Sequence, residues 1–339
     1  MHPLLDEQDL SLLHALQIAP RVSWADAARV LGSTATTLAA RWERLRSSGT
    51  AWVTAHAGGK LSTVTLAFVE LDVAPQRRSE VIGALCRDPR AATIDETASG
   101  RDLIITVLTP DHDSLTRFAL DELPRIPGVQ RVDTHLATKV HAEGSRWRLD
   151  ALDPAQRSEL QAAAPRTDGF TSLPEHYWPL VEALIHDGRR SAADIARVLD
   201  RNPATVRRQV GRLLASEQLS FRCDVAQVRS QWPMSCIFLA ELPAAELDRT
   251  VRSLRTLAEL RLCVSTVGKA NLLFQLWARS PADLRRLELL LAEKLPRLSI
   301  NERVLVLRVA KRMGWLLDES GRCTGEVVVP SVTPRWLPG

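Results

Sequence analysis

The stretch from Arg201 to Ser216 carries Arg201, Arg207, Arg208 and Arg212 and no acid. An acid-free basic run suits a polyphosphate, because each guanidinium that meets a phosphate releases a condensed counterion. Ser33 to Gly49 repeats the theme in weaker form, with Arg41, Arg44 and Arg46 against one acid, Glu43. Small polar groups precede the cations in both stretches: Ser33, Thr36 and Thr37 in one, Asn202 and Thr205 in the other. Short hydroxyls and amides early in a helix, with arginines one or two turns later, are the groups that read base edges and phosphates in the major groove. That chemistry would be recognition of double-stranded DNA; a solvated helix face is the other reading of the same charges. Its candidate contacts are Ser33, Thr36, Thr37, Arg41 and Arg44 in the first stretch and Asn202, Thr205, Arg207, Arg208 and Arg212 in the second.

Other chemistries lack their residues. The chain has no P-loop, GxGxxG, HExxH or GxSxG motif and no cysteine spacing of a zinc site, so no catalytic residue, metal or cofactor is assigned and an enzyme is not expected. The five cysteines, Cys86, Cys223, Cys236, Cys263 and Cys323, are odd in number and are read as reduced thiols. No apolar run is long enough to span a bilayer and the first ten residues carry acids where a signal peptide carries bases; a cytoplasmic protein with no membrane partner is expected. A net charge of +4 permits nucleic-acid binding without requiring it, so the placement of the arginines matters more than their number.

The elements that must position those arginines occur twice. SWADAARVLG (Ser23–Gly32) returns as SAADIARVLD (Ser191–Asp200) with seven of ten residues identical, at a shift of 168 that also aligns Arg21 with Arg189 and Thr37 with Thr205. In each copy about 45 residues read as three helices. Ser23 and Ser191 suit the N-cap of the second helix, Ser33 or Asn202 that of the third, and Pro203 its first position. In the third helix Leu38, Trp42 and Leu45, and Val206, Val210 and Leu213 in the repeat, form an inward stripe, which leaves the basic face outward. This is a helix-turn-helix.

Alternating segments follow each such unit. Thr63 to Val73, Ala91 to Ser99, Leu103 to Thr109 and Val129 to Val140 read as strands, with helices between the first two and the last two. The order βαββαβ is that of the ferredoxin-like sandwich. The second copy repeats it, and its apolar last strand requires that one sheet face be covered. The expected fold is α+β: two tandem copies of a winged, three-helix helix-turn-helix followed by a βαββαβ sandwich. The expected domains are 1–50, 60–142, a linker at 143–171, 172–218, 232–314 and a tail at 315–339. The linker is read as a short helical piece followed by a Pro, Gly and Thr hinge, and the Pro-rich tail as unordered unless docked.

With LDEQDLSLLHALQ opening the first copy, SWADAARVLGSTATTLAARWERLRSSG in its middle and LPRIPGVQRVDTHLATK near its end, the chain resembles the Lrp/AsnC family of bacterial transcription regulators, in the double-length form found in actinobacteria. The resemblance covers nearly the whole chain, once per copy. It implies sequence-specific DNA binding, self-association through the sandwich domains and sensing of a small effector, commonly an amino acid, near the turn before the third sandwich strand. That turn reads SGRDL (Ser99–Leu103) and GKANL (Gly268–Leu272), so Asp102, Gly268 and Asn271 are the effector positions carried over. The family's pair of arginines after the recognition threonine is split here: Thr37 is followed by Ala40 and Arg41, Thr205 by Arg208 and Gln209. Pairing of the two sandwiches within one chain or between chains is open at this level. The alternative is an enzyme, because the fold also resembles that of siroheme decarboxylases, built from two Lrp-like units. For proton transfer the sandwiches offer His112 and His135, with His141 just beyond the last strand of the first copy.

Overall fold

The computed structural model describes residues 5–57, 64–98, 100–144, 147–162, 174–215 and 219–332. The hinge expected after residue 162 and Ser99 of the SGRDL turn lie outside them.

The first head consists of α1 (Glu7–Ile18), α2 (Trp24–Leu31) and α3 (Ala35–Ser47), and the second of α7 (Trp178–His186), α8 (Ala192–Val198) and α9 (Pro203–Ala215). Local chemistry sets the boundaries. The Ser23 and Ser191 hydroxyls accept from the N–H groups of Asp26 and Asp194, both at 3.1 Å. The turn into the third helix needs a left-handed residue, Gly32 (φ 61°) in one copy and Asp200 (φ 50°) in the other. Asn202 caps α9. In the first copy the cap is Thr34, not Ser33, because its hydroxyl reaches the N–H of Thr37 at 3.1 Å. Leu38, Trp42 and Leu45 are buried, as are Val206, Val210 and Leu213.

Each head ends in a strand absent from the expected elements, β1 (Ala51–Ala57) and β6 (Leu219–Val225). The two pair antiparallel, with Ala51 opposite Val225 and Thr54 opposite Arg222. Thr54 and Arg222 are themselves equivalent at the 168-residue shift, so a pseudo-dyad passes between them. Arg21 and Arg189 obey the same symmetry. Arg21 donates to the carbonyls of Gly188 and Arg190, and Arg189 to those of Pro20 (2.6 Å) and Val22 (2.9 Å). Neither head is therefore free to swing, since moving one strands two charged donors in a half-buried site.

The first sandwich has β2 (Thr65–Val73), α4 (Arg78–Arg87), β3 (Ala91–Thr97), β4 (Leu103–Thr109), α5 (His112–Thr116) running on through 117–125, and β5 (Val129–Ala142). The second has β7 (Met234–Glu241), α10 (Leu247–Leu254), β8 (Leu260–Val267), β9 (Leu272–Ala278), α11 (Pro281–Lys294) and β10 (Ser299–Arg312). Both last strands are 14 residues long. Each pairs first with its own sheet and then with the other copy's: β5 with β2 and β8, β10 with β7 and β3. The eight strands close into a ring, β3-β4-β2-β5-β8-β9-β7-β10. Inside it Phe68, Ile104, Ile237, Leu239, Val264, Leu273 and Val304 form a shared core, which is what covers the apolar face of the last strand. The two copies thus pair within one chain.

Two peripheral segments pack against the heads, and residues 333–339 of the Pro-rich tail lie outside the described residues. The helical piece of the linker, α6 (Pro154–Ala162), is docked, with Trp147, Leu149, Leu152 and Leu160 in the core of the first head. The tail forms β11 (Trp315–Leu317) and β12 (Cys323–Val327), a hairpin on the end of β10 whose Cys323 N–H donates to Gly49 O at 2.8 Å. Both segments bury apolar side chains against a head, and that gain offsets the cost of ordering them.

Candidate functional site

The two recognition helices carry the same residue types in different electrostatic settings. On α3, Ser33, Thr36 and Thr37 at the amino end are exposed, as is Arg44 further along. Arg41 is not outward, contrary to the reading of its helical position. Its guanidinium turns to α1 and bonds Asp6 at 2.8 Å and Asp9 at 2.9 Å, with Gln8 as a further acceptor. Arg44 shares Asp9 at 2.6 Å. Asp9 is buried at 3% exposure, and two cations on one buried carboxylate satisfy it at their own expense as free contacts. The bond from Asp6 raises the Arg41 guanidinium against the opposing pull of burial. Arg46 is held by Glu43 at 2.9 Å.

On α9, Arg207, Arg208 and Arg212 are exposed, and among the described residues none of them has an ion pair. The reason lies in α7 and the turn before it. Where the first copy has Asp6 and Asp9 the second has Pro174 and Tyr177, and Gln209 replaces Arg41. Asn202 gives its side chain to the cap, and Thr205 is half-buried just behind the exposed face.

The effector turn of the first copy borders an open cleft of about 790 Å³. Its wall combines Asp72, Arg78, Glu96, Arg101 and Asp102 of the first sandwich with Leu307 and Arg308 of the second. The strand register brings them together, Arg308 of β10 lying opposite Glu96 of β3. Arg308 makes a two-point ion pair with Glu96, which raises the guanidinium, and Arg78 bonds Asp102 at 2.7 Å. Behind the wall Arg101 also pairs with buried Glu70, whose other oxygen bonds His135 Nε2 at 2.8 Å. Burial works to raise the Glu70 carboxyl, but His135 and Arg101 outweigh it and hold the group below its ordinary value.

Of the carried-over effector positions only Asp102 borders this cleft. Its second oxygen accepts from Val73 N–H at 2.8 Å, tying the turn to the end of β2. Asn271 does the same for the second copy, accepting from Leu242 N–H at 3.1 Å and donating to Leu242 O at 2.7 Å. Gly268 (φ 155°) packs against the ring of His135, where a β-carbon would lie 2.7 Å from Nδ1. Both residues thus shape the second copy's turn. Arg78, Glu96, Arg101 and Arg308 escaped the sequence reading because no local motif joins them; Glu96 and Arg308 are 212 residues apart. The histidines do not converge: His141 bonds Ser265 at 2.7 Å, His135 is enclosed by Glu70 and Gly268, and His112 begins α5. Among the described residues no three His, Cys, Asp or Glu side chains are placed to hold a metal.

Known proteins resemble this chain. Residues 5–46 match the AsnC-type helix-turn-helix domain and residues 66–147 the Lrp/AsnC ligand binding domain. An HTH-type transcriptional regulator, FL11 of Pyrococcus furiosus, is 30% identical over 148 residues, which is 95% of that protein and 42% of this chain. The chain belongs to the Lrp/AsnC family. Its FL11 counterpart in Pyrococcus horikoshii is 29% identical over 93% of its length. Lrp/AsnC relatives of that size account for one copy, and the double-length architecture has its own counterpart. The siroheme decarboxylase NirDL superposes over 91% of this chain and 93% of its own, with a TM-score of 0.57 at 13% identity. A likeness at that identity is one of fold. No helix among the described residues is long and apolar enough to cross a membrane.

Proposed function

We propose that this Lrp/AsnC protein is a sequence-specific, DNA-binding transcriptional regulator in which one chain does the work of a dimer, acting in the cytoplasm on a small-molecule signal. The observation that carries the reading is the pair of helix-turn-helix units fixed about a pseudo-dyad by β1–β6 pairing and the Arg21 and Arg189 clamps, both with polar recognition faces exposed. Holding two reading heads in fixed relation raises the local concentration of the second once the first has bound. The effector belongs in the cleft at the first copy's turn. Three arginines and three carboxylates form its wall, a balance that suits a ligand bearing both charges, as an amino acid does. Further association between chains has support from Leu120 and Leu289, equivalent positions on the sandwich helices that are 70% and 62% exposed.

The test is titration of duplex DNA from the protein's own upstream region and of a scrambled duplex, at two salt concentrations. Preference for the upstream duplex that persists at the higher salt is expected; equal binding that salt erases from both rules out sequence-specific recognition of that region. For the effector, an amino acid at a hundredfold excess over its Kd stabilises the fold by about 2.7 kcal/mol. A thermal-shift screen should find one such compound, and Arg308→Ala should abolish its shift.

A second reading, decarboxylation of an iron tetrapyrrole, rests on the fold shared with NirDL, which has been crystallised with an iron-uroporphyrin III analogue. On this chain the space between the sandwiches is filled by its own apolar core. An absorbance titration with siroheme that shows no spectral change disposes of this reading.

A further inference from the structure

The two heads differ in how many cations they can offer DNA. The first, residues 5–47, balances five acids with five arginines. Four of those, Arg29, Arg41, Arg44 and Arg46, are ion-paired to carboxylates and the fifth, Arg21, is spent on the other head. The second, residues 174–215, has seven arginines against five acids, and its recognition helix carries three of them exposed and free of carboxylates among the described residues. Breaking a pair on a buried carboxylate to grip a phosphate trades one charge-assisted bond for another, whereas an exposed guanidinium gives up only water and counterions.

On the reading that the chain binds DNA, we propose that Arg207, Arg208 and Arg212 of the second head supply its phosphate grip, while Asp6 and Asp9 hold Arg41 and Arg44 of the first head back from it. The heads are then unequal by construction. The first meets DNA with Ser33, Thr36 and Thr37, uncharged groups at the exposed end of α3, and contributes direct readout with little electrostatic pull. The site that one chain reads is correspondingly asymmetric, with a strong half under α9 and a weak half under α3, in contrast to the palindrome that two identical heads select.

The electrostatic part of binding is sequence-independent, so a random-sequence duplex reads it without knowledge of the operator. The slope of log K against log salt changes by about 0.9 for each phosphate that the protein ceases to neutralise. Replacing Arg207, Arg208 and Arg212 together by Ala should flatten the slope by up to about 2.7. These side chains are exposed and make no ion pair among the described residues, so the variant keeps its fold, which an unchanged melting temperature checks. Arg44→Ala should flatten the slope by much less than the amount due to one phosphate. Asp6→Asn, at an exposed residue, should steepen it by loosening Arg41. The proposal is overturned if Arg44→Ala flattens the slope as much as Arg208→Ala does, or if the triple variant keeps the wild-type slope. Absence of duplex binding by the wild-type protein at low salt overturns the DNA reading itself along with it.

Discussion

The two sandwich domains have one backbone and opposite interiors. Shifting by 169 residues, Glu70, His135 and Arg101 of the first copy become Leu239, Val304 and Ala270 of the second, and Asp95 and Glu96 become Val264 and Ser265. The strand pairs coincide: Val309 opposite Asp95 on one side of the ring answers Val140 opposite Val264 on the other. One side of the shared core is therefore a charged network opening into a cleft and the other is hydrocarbon. In the heads the balance reverses, with ion-paired arginines on the first copy's recognition helix and, among the described residues, arginines without ion pairs on the second's. Duplication preserved what the fold needs, namely strand register, caps and the clamping arginines. Charge diverged between the copies, and some of it is satisfied across them, as Arg308 satisfies Glu96.

The largest test of that contrast is to write the second copy's residues into the first. Glu70→Leu alone strands His135 and Arg101 without their anion and should cost about 3–5 kcal/mol in a denaturant titration. Adding His135→Val and Arg101→Ala should recover most of that loss, because an apolar set of this shape already packs at the equivalent place. A triple variant no more stable than the single one would mean that the charged network is required by the fold rather than merely tolerated.

A second test uses acid. His14 is buried under the linker, its Nδ1 accepting from the N–H groups of Ala151 (2.9 Å) and Leu152 (3.1 Å), whereas the equivalent Glu182 lies exposed on the second head. Burial, reinforced by Arg148 and Arg157, lowers the His14 imidazole from 6.5 to about 4. Between those values the unfolded chain takes up a proton that the folded chain refuses, so stability is lost as pH falls through that window and is flat below it. The loss amounts to at most about 3 kcal/mol. Hydrogen exchange at pH 5 should show protection falling first at Leu149 to Leu152. Uniform loss across both heads would break the distinction between them.

The smallest effect separates the two turns. Gly100 (φ 77°) has open space where a β-carbon would go, and Gly268 (φ 155°) has the His135 ring. Alanine strains both backbones, but Gly268→Ala should cost about 1–3 kcal/mol more, read as a difference in melting temperature. Equal costs would show that the ring yields without penalty.

The local signals in the chain were strong. Two caps at Ser23 and Ser191, two inward stripes, and period-two segments in the order βαββαβ established helix-turn-helix and sandwich domains in duplicate, because capping and periodicity act within a few residues. The outward face of α9 could be read the same way. The face of α3 could not: Arg41 and Arg44 sit at plausible outward positions, and only the packing of α1 brings Asp6 and Asp9 beneath them. The contrast was present as Asp6 and Asp9 against Pro174 and Tyr177, without meaning until the helices were placed.

What the sequence by itself determined is therefore the identity and order of the elements and the doubling of the unit, since these follow from propensity, caps and hydrophobic period. Tertiary structure alone decided that β5 and β10 cross into each other's sheets, that the copies pair within one chain, and that the cleft at the first copy's turn is walled by both sandwiches. Those outcomes rest on pairings between residues some 120 to 220 positions apart, such as Arg308 with Glu96 and Val140 with Val264, and pairings at that separation leave no periodic trace along the chain.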